Sequence, residues 1–420
     1  MKGVTVCPIS DRPLNDDQIS DPQADRVPPQ TIAVIEPAWT GHHPLYFRAF
    51  CRVLCELGCR VVGICPKPEE MGGSNFVRWS PPLFTFRPRR LSGPLSNRAQ
   101  HWWLNRRLRA LEREIGRKID LVFFSCLFDR FLALHPVDFD WDWAGLYLHV
   151  SGFRIPGDVK SHPLRRFRSS QGRPAVSRLR GLAVLDEGAV DFVAGVSGCD
   201  HVVAFPDFSD TSCGETSEVA DRLIGFAAGR PIVGIAGHLQ PSKGTITLAQ
   251  AAMRSRKNDN SAVFAFIGEL WWELYSENDR QVLRDAFAGE NVFTHFERIP
   301  REEDFNSVLQ SFNVIYAGYH DFPHSSNMPA KAAGLRRPMI VSSGYLLGER
   351  VGRFRLGKVI PQRDVDATLV AIRETISNQD RSGFESGARE YLEVHSTARL
   401  KQAMDEMLSS IWGVDYRQRS

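Results

Sequence analysis

Three short stretches carry residue types that could do chemistry. The first is Gly234-Ile-Ala-Gly237-His238-Leu-Gln-Pro-Ser-Lys243-Gly244, between an apolar run and a helical pattern. Glycines let backbone approach a ligand closely, and a following helix N-terminus presents unpaired N–H groups. Lys243 adds a mobile cation. This combination suits a diphosphate, although neither the GxxxxGK[ST] order nor GxGxxG is present. A plain strand–loop–helix connection with a surface lysine is the alternative. The second stretch, His320-Asp-Phe-Pro-His324-Ser325-Ser326-Asn327-Met-Pro-Ala-Lys331, reads as a helix N-terminus whose amides would hold another group of the same ligand. Gly344 and Glu349 follow. One capped helix and one solvated glutamate would account for these residues equally well. The third stretch, Gly41-His42-His43, and the separate His149 each follow a strand-like run, where a general base could sit; solvated or capping histidines are the plainer reading.

Such loops need a scaffold, and the hydrophobic pattern supplies one. Ile32–Ile35 and Arg60–Cys65 are short apolar runs of the kind buried on both faces of a sheet. Between them Phe47, Phe50, Cys51 and Leu54 follow helical spacing, ending at Gly58. Strand, helix and strand within this distance form a βαβ unit, so the sheet should be parallel. Further strands are expected at Leu121–Ser125, Gly145–His149, Leu182–Leu185 and Val202–Phe205, with a helix over Asn105–Lys118. A second alternation has strands at Ile232–Ala236, Val263–Ile267, Val292–His295, Val314–Ala317 and Met339–Ser342. Phe305, Val308, Leu309 and Phe312 mark one of its helices. Asp364 and Ser396 look like N-caps, the latter for a final helix bearing Leu400, Met404, Met407 and Ile411.

The expected architecture is therefore α/β, two Rossmann-like doubly wound parallel sheets facing across a cleft. We expect residues 1–30 to be disordered, 31–206 to form the first domain, 207–225 a linker and 226–395 the second domain. A helix at 396–412 would return to the first domain, followed by a tail at 413–420. Ligands in such sheets bind at the carboxyl ends of the strands.

Composition narrows the class. The 420 residues are 43% apolar and 24% charged, which excludes collagen, a wholly disordered chain and a disulfide-stapled miniprotein. No apolar run approaches a membrane span, and the Met1 end has no apolar leader. A net charge of +3 is too small to argue for nucleic acid. Eight cysteines without a CxxC predict a reducing cytoplasm and no metal centre. Cys51, Cys55 and Cys59 share one helix face as packing residues.

Taken together, these segments resemble the GT-B glycosyltransferases of the large, mostly retaining group 1 type. Gly237-His238-Leu239…Lys243-Gly244 is similar to that family's G-R-L…K-G loop, which holds the donor diphosphate. Lys331-Ala-Ala-Gly-Leu-Arg-Arg-Pro338-Met-Ile-Val resembles its E-A-M-A-x-G-x-P-V-I segment, and Glu349 falls where the family has a glutamate. Gly41 resembles the glycine after the first strand that approaches the donor. Pro323 and Lys331 stand where the family has a spaced glutamate pair, and His238 where it has arginine. Sugar and ribose contacts therefore do not carry over, and Lys331 would instead add a cation near the phosphates.

The resemblance implies transfer of a sugar from a nucleotide-diphosphate sugar to a glycan or lipid-linked acceptor, with retention. The departing diphosphate gains negative charge, which His238, Lys243, Lys331 and the amides of Ser325–Asn327 would neutralise without metal or other cofactor. An inverting enzyme would instead need His42, His43 or His149 as base. The alternatives are a non-catalytic nucleotide- or partner-binding protein, and a nucleotide-sugar epimerase. Between Val77 and Lys118 lie eleven Lys or Arg, among them Arg89, Arg90, Arg106, Arg107 and Arg109 near Trp102 and Trp103. Lys160–Arg180 contains no acid. Such a surface suits peripheral contact with an anionic inner membrane face.

Overall fold

Short β-branched and aromatic runs alternating with amphipathic stretches build two parallel sheets in a computed structural model of the chain. The structure describes residues 29–413 except 73–74, 81–93, 130–131, 133–138, 156–159, 161, 168–177 and 259–260. The expected disorder of residues 1–30 and the tail therefore lie almost wholly outside the described residues, as do Arg89, Arg90 and much of Lys160–Arg180. The chain divides into one unit up to Pro206 plus the segment from Thr397 on, and a second unit, Asp207–Ser396.

In the first unit seven strands, β1 (Thr31–Ile35), β2 (Arg60–Cys65), β3 (Phe76–Arg78), β4 (Leu121–Leu127), β5 (Trp143–Tyr147), β6 (Leu179–Val184) and β7 (Val202–Ala204), lie in the order β3-β2-β1-β4-β5-β6-β7. Every paired neighbour is parallel. Helices α1 (His43–Glu56), α2 (Pro94–Ile115) and α3 (Val190–Ser197) connect them. The helical stripe read from sequence is the buried face of α1: Phe47, Phe50, Cys51 and Leu54 are inaccessible or nearly so. Pro44 opens that helix where its missing N–H costs nothing, and Gly58 closes it with its N–H on the Cys55 carbonyl.

The second unit has six strands, β8 (Ile232–Ala236), β9 (Val263–Ile267), β10 (Val292–His295), β11 (Val314–Ala317), β12 (Met339–Ser342) and β13 (Gly357–Ile360), in the order β10-β9-β8-β11-β12-β13. These too are all parallel. Its helices are α4 (Glu218–Ala227), α5 (Thr245–Asn258), α6 (Glu277–Phe287), α7 (Glu302–Ser311), α8 (Met328–Gly334), α9 (Leu346–Arg353), α10 (Val365–Ser377) and α11 (Ser382–Val394). Asp364 caps α10 as expected, its carboxylate accepting the Ala367 N–H at 2.8 Å. The last helix, α12 (Thr397–Trp412), packs on α1 in the first unit, with Leu400, Met404 and Met407 buried.

The polar stretch expected as a linker is built into the second unit. Asn306 on α7 donates to the carbonyls of Asp210 and Ser212, at 3.2 and 2.8 Å, so these backbone acceptors are satisfied without regular structure. The seven cysteines among the described residues are all free thiols. No described helix is long and apolar enough to cross a membrane.

Candidate functional site

Strand order locates the sites before any side chain is considered. Both sheets reverse direction beside their first strand, between β1 and β4 and between β8 and β11. In a doubly wound sheet the connections leave to opposite faces there, and the loops part into a crevice at the carboxyl ends. The segments singled out in the sequence follow these very strands.

In the second unit the loop after β8 and the loop after β11 are joined. The His320 N–H donates to the Ser242 carbonyl at 2.7 Å. Gly244, at φ +78°, packs so tightly that a Cβ there would lie 2.1 Å from the Gly318 oxygen. Only glycine satisfies both the left-handed backbone and that approach. Lys243 ends the 3₁₀ turn Pro241–Lys243, and its Nζ lies 3.7 Å from the Tyr319 ring centre and 4.2 Å from that of Phe322. Two aromatic faces thus hold the cation against the segment that continues into Ser325–Asn327. Among the described residues no carboxylate pairs with it.

Gly237 also takes a left-handed φ, +111°, with open space where a side chain would project. His238 beside it is half exposed, with Nε2 3.1 Å from Glu269 Oε2 and its ring over Trp271. Asn327 precedes α8 with no side-chain cap, and Ser326 Oγ accepts weakly from the Met328 N–H at 3.4 Å. Glu349 is exposed in the first turn of α9.

Two residues have partners that the sequence did not suggest. The Ser325 hydroxyl bonds to Asp207 and accepts from Arg350 Nη1 at 2.9 Å. Asp207 and Arg350 form an ion pair at 2.9 Å, each side chain 2% exposed. Lys331 is 1% exposed, and its ammonium reaches Glu302 Oε1 and Asn306 Oδ1, both at 2.5 Å, and the Asp210 carbonyl at 3.1 Å. It therefore ties α8 to α7 and to the Asp210 strap rather than standing beside Lys243. Lys331→Met should strand the Asn306 and Asp210 acceptors and cost about 2–4 kcal/mol. Chemical denaturation of the variant checks this.

His320 lies beneath the joined loops with Nε2 3.3 Å from Thr247 Oγ1. Burial first, and then the Arg363 charge, hold its pKa below the usual histidine value, with Asp321 opposing. The unfolded chain therefore binds that proton more readily. Stability should be full above pH 6.5 and fall as the pH drops from there through the lower folded-state value. Thermal melts of the protein and of His320→Asn across pH 5–8 test this: the variant should show a flatter profile below pH 6.5.

In the first unit the crevice holds three histidines and a carboxylate that sequence reading missed. Glu36, at the end of β1, is fully buried. It accepts from the Ala38 N–H at 2.8 Å and from Ser125 Oγ at 2.7 Å, and His43 Nδ1 lies 3.1 Å away. The imidazole lies beside the carboxylate without meeting hydrogen-bond geometry, so the contact is one of proximity. The His42 ring stacks on His43 at 5.0 Å, and Phe128 contacts both His43 and His149. His149 lies just past β5, and Gly41 in the turn before α1, at φ +61°. The signal for Glu36 was a lone acid directly after a buried strand.

Metal binding is a separate question. Donor atoms of His42, His43 and Cys126 lie within 4.8 Å of one another. Burial, then the Glu36 charge, push the Cys126 thiol well above its ordinary value. The sequence also contains three Asp-x-Asp spacings, Asp138/Asp140, Asp140/Asp142 and Asp364/Asp366, so lack of that motif is no argument for a metal-free enzyme. Asp140 pairs with Arg109, Asp142 with Arg180 and Asp366 with Arg254, while Asp364 is the α10 cap.

No family model matches the sequence. A curated relative, 2-deoxystreptamine N-acetyl-D-glucosaminyltransferase of Streptomyces fradiae, is 27% identical over 230 residues, which is 51% of this chain and 52% of the relative. The chain thus spans about half the length of the curated relative it matches. Solved structures align over much more. Sucrose-phosphate synthase of Thermosynechococcus elongatus superposes with a TM-score of 0.65 at 14% identity, covering 91% of this chain and 99% of its own. The catalytic domain of starch synthase IV from Arabidopsis thaliana, bound to ADP and acarbose, gives 0.61 at 11%, covering 92% and 100%. The E. coli trehalose-6-phosphate protein bound with UDP-2-fluoro glucose gives 0.63 at 8%, covering 92% and 99%. With two all-parallel sheets of Rossmann-type order and this likeness across nine-tenths of its length, the chain has the GT-B fold of glycosyltransferases.

Proposed function

We propose that the chain transfers a sugar from a nucleotide-diphosphate sugar to an acceptor hydroxyl, with Lys243 and the surrounding loop amides neutralising the departing diphosphate. The observation that carries this is Lys243: a cation with no carboxylate partner among the described residues, held by Tyr319 and Phe322 at the switch point of the second unit. Fixed positive charge aimed at developing negative charge is the largest single contribution such a site can make. His238 adds a ring beside Gly237. On this reading the lysine and amides supply the charge that a metal would otherwise provide.

Retention is the reading the family resemblance favours. Inversion has one specific observation behind it, the buried Glu36 carboxylate 3.1 Å from His43 Nδ1, which would support that histidine as base. A glycan or lipid-linked acceptor fits the first unit's basic helix. There Trp102 is 59% exposed, with the Arg106 guanidinium 5.7 Å from its ring centre. That surface suits peripheral contact with an anionic membrane. The relatives suggest the test set: N-acetylglucosaminyl, glucosyl and related nucleotide sugars, with aminocyclitol, sugar-phosphate and lipid-phosphate acceptors. NMR of the product gives the anomeric configuration. Sugar transfer with release of the nucleoside diphosphate supports the proposal. Failure of every donor to bind or to be hydrolysed contradicts it.

A further inference from the structure

The amino-terminal edge of the second sheet, opposite the loops that hold Lys243, carries a cavity of about 430 Å³ lined in part by Arg337, Arg355, Lys358 and Arg381. This volume lies within the range of small-molecule sites, roughly 300–1,000 Å³. It forms where α8 turns into β12, where β13 begins, and where α10 gives way to α11.

Its charges are unevenly compensated. Lys358 pairs with Glu374 at 2.8 Å and Arg355 with Glu390 at 3.7 Å. The one acid in the lining, Asp380, accepts from the Ser382 N–H at 2.9 Å. Among the described residues neither Arg337 nor Arg381 has a carboxylate partner. Arg381 donates to the Arg336 carbonyl at 2.7 Å and lies over Phe384. Arg337 makes no hydrogen bond at all through its Nε, which is buried. Burial, and then the like charge of Arg381, depress the Arg337 pKa below its ordinary value. Both guanidinium groups thus line one cavity, Arg337 partly buried and Arg381 exposed.

Polar groups that suit an anion surround them. Asn313 uses its Oδ1 on the Ile232 N–H at 2.8 Å, which leaves its amide N–H₂ as a donor. Thr375, Asn378 and Ser382 complete the polar wall, and Gly383 leaves the start of α11 open on that side. Arg355 occupies a left-handed φ of +54°, where glycine or asparagine would be less strained. A surface built for stability alone would relieve the Arg337–Arg381 repulsion with a carboxylate.

We propose that this cavity binds a small phosphate-bearing metabolite, with Arg337 and Arg381 clamping the phosphate, at a site separate from the donor diphosphate. Planar guanidinium groups suit phosphate oxygens because they donate paired N–H bonds. The site rests on geometry independent of the transferase proposal, so either reading can fail without the other.

The test uses the whole chain with inorganic phosphate and with ribose 5-phosphate, followed by calorimetry and thermal melts. Wild type and Lys243→Ala should bind alike, and saturating ligand should raise Tm by about 3 °C. Arg337→Gln should weaken binding by about tenfold or more. The same change should raise Tm of the unliganded protein, because it removes the repulsion; a purely structural arginine would lower it. Arg381→Gln should act the same way on binding. Absence of saturable binding by both probes, binding unaffected by either substitution, or loss of binding in Lys243→Ala would each overturn the proposal.

Discussion

Replacing Lys243 by alanine should lower kcat/KM for the nucleotide-sugar donor by about 10²–10³-fold while leaving the chain folded. The lysine's structural contribution is its contact with Tyr319 and Phe322. Cation–π contacts of this exposure contribute roughly 1 kcal/mol, so thermal unfolding should shift only slightly. Its contribution to the reaction is larger, because charge on the bridging oxygen grows as the sugar departs. Lys243→Arg should recover part of the rate, since charge is kept while reach and shape change. Steady-state kinetics with the best donor of the panel, beside a melting curve for each variant, measure both. An alanine variant with unchanged kcat/KM would remove Lys243 from the mechanism.

The second large effect is on stability. Arg350→Met should destabilise the second unit by about 3–5 kcal/mol, because the Asp207 carboxylate would then be buried without its cation. The pair is shielded on both sides, and Ser325 bonds to both members. Asp207 is further tied to the other end of the unit, its N–H donating to His395 Nδ1 at 3.0 Å. Pairing Arg350→Met with Asp207→Leu should recover much of the loss, since two apolar groups replace a desolvated pair. Urea titrations of the single and double variants measure this coupling. A double variant as unstable as the single one would show that the residues act independently. The milder Ser325→Ala should raise the donor KM more than it lowers stability, because it loosens the loop that continues from Lys243's aromatic partners.

How far the sequence could be read follows from which forces are local. Buried parallel strands announce themselves as continuous apolar runs, and Ile232–Ala236, Val263–Ile267 and Met339–Ser342 fall where expected. The edge strands β3 and β13 gave no such signal. Phe76–Arg78 is three residues long, and Gly357-Lys-Val-Ile is half exposed, so neither needed an apolar run. The helix α11 was missed as well, since its start follows a polar turn without a capping serine or aspartate at the N-cap.

Site residues divide along the same line. Gly244 was legible because a left-handed close approach admits only glycine. The place of Lys243 in a loop between a buried strand and a helix was legible from the apolar runs on either side. The partners of Lys331, Glu302, Asn306 and Asp210, are distant in sequence, and only folding brings these acceptors together. Asp207 stood in a polar stretch that resembled a linker, and its function as the buried counter-ion of Arg350 depends on a residue 143 positions away. Glu36 has no local signal beyond following a buried strand. Its burial becomes visible only when β4 brings Ser125 beside β1.

The measurement that bears most directly on the central claim is a thermal-shift and calorimetric panel of UDP-, GDP-, ADP- and dTDP-sugars against the intact chain and Lys243→Ala. The account predicts saturable stabilisation by one nucleotide class, lost in the alanine variant. Equal stabilisation of both proteins, or of neither by any donor, would contradict it.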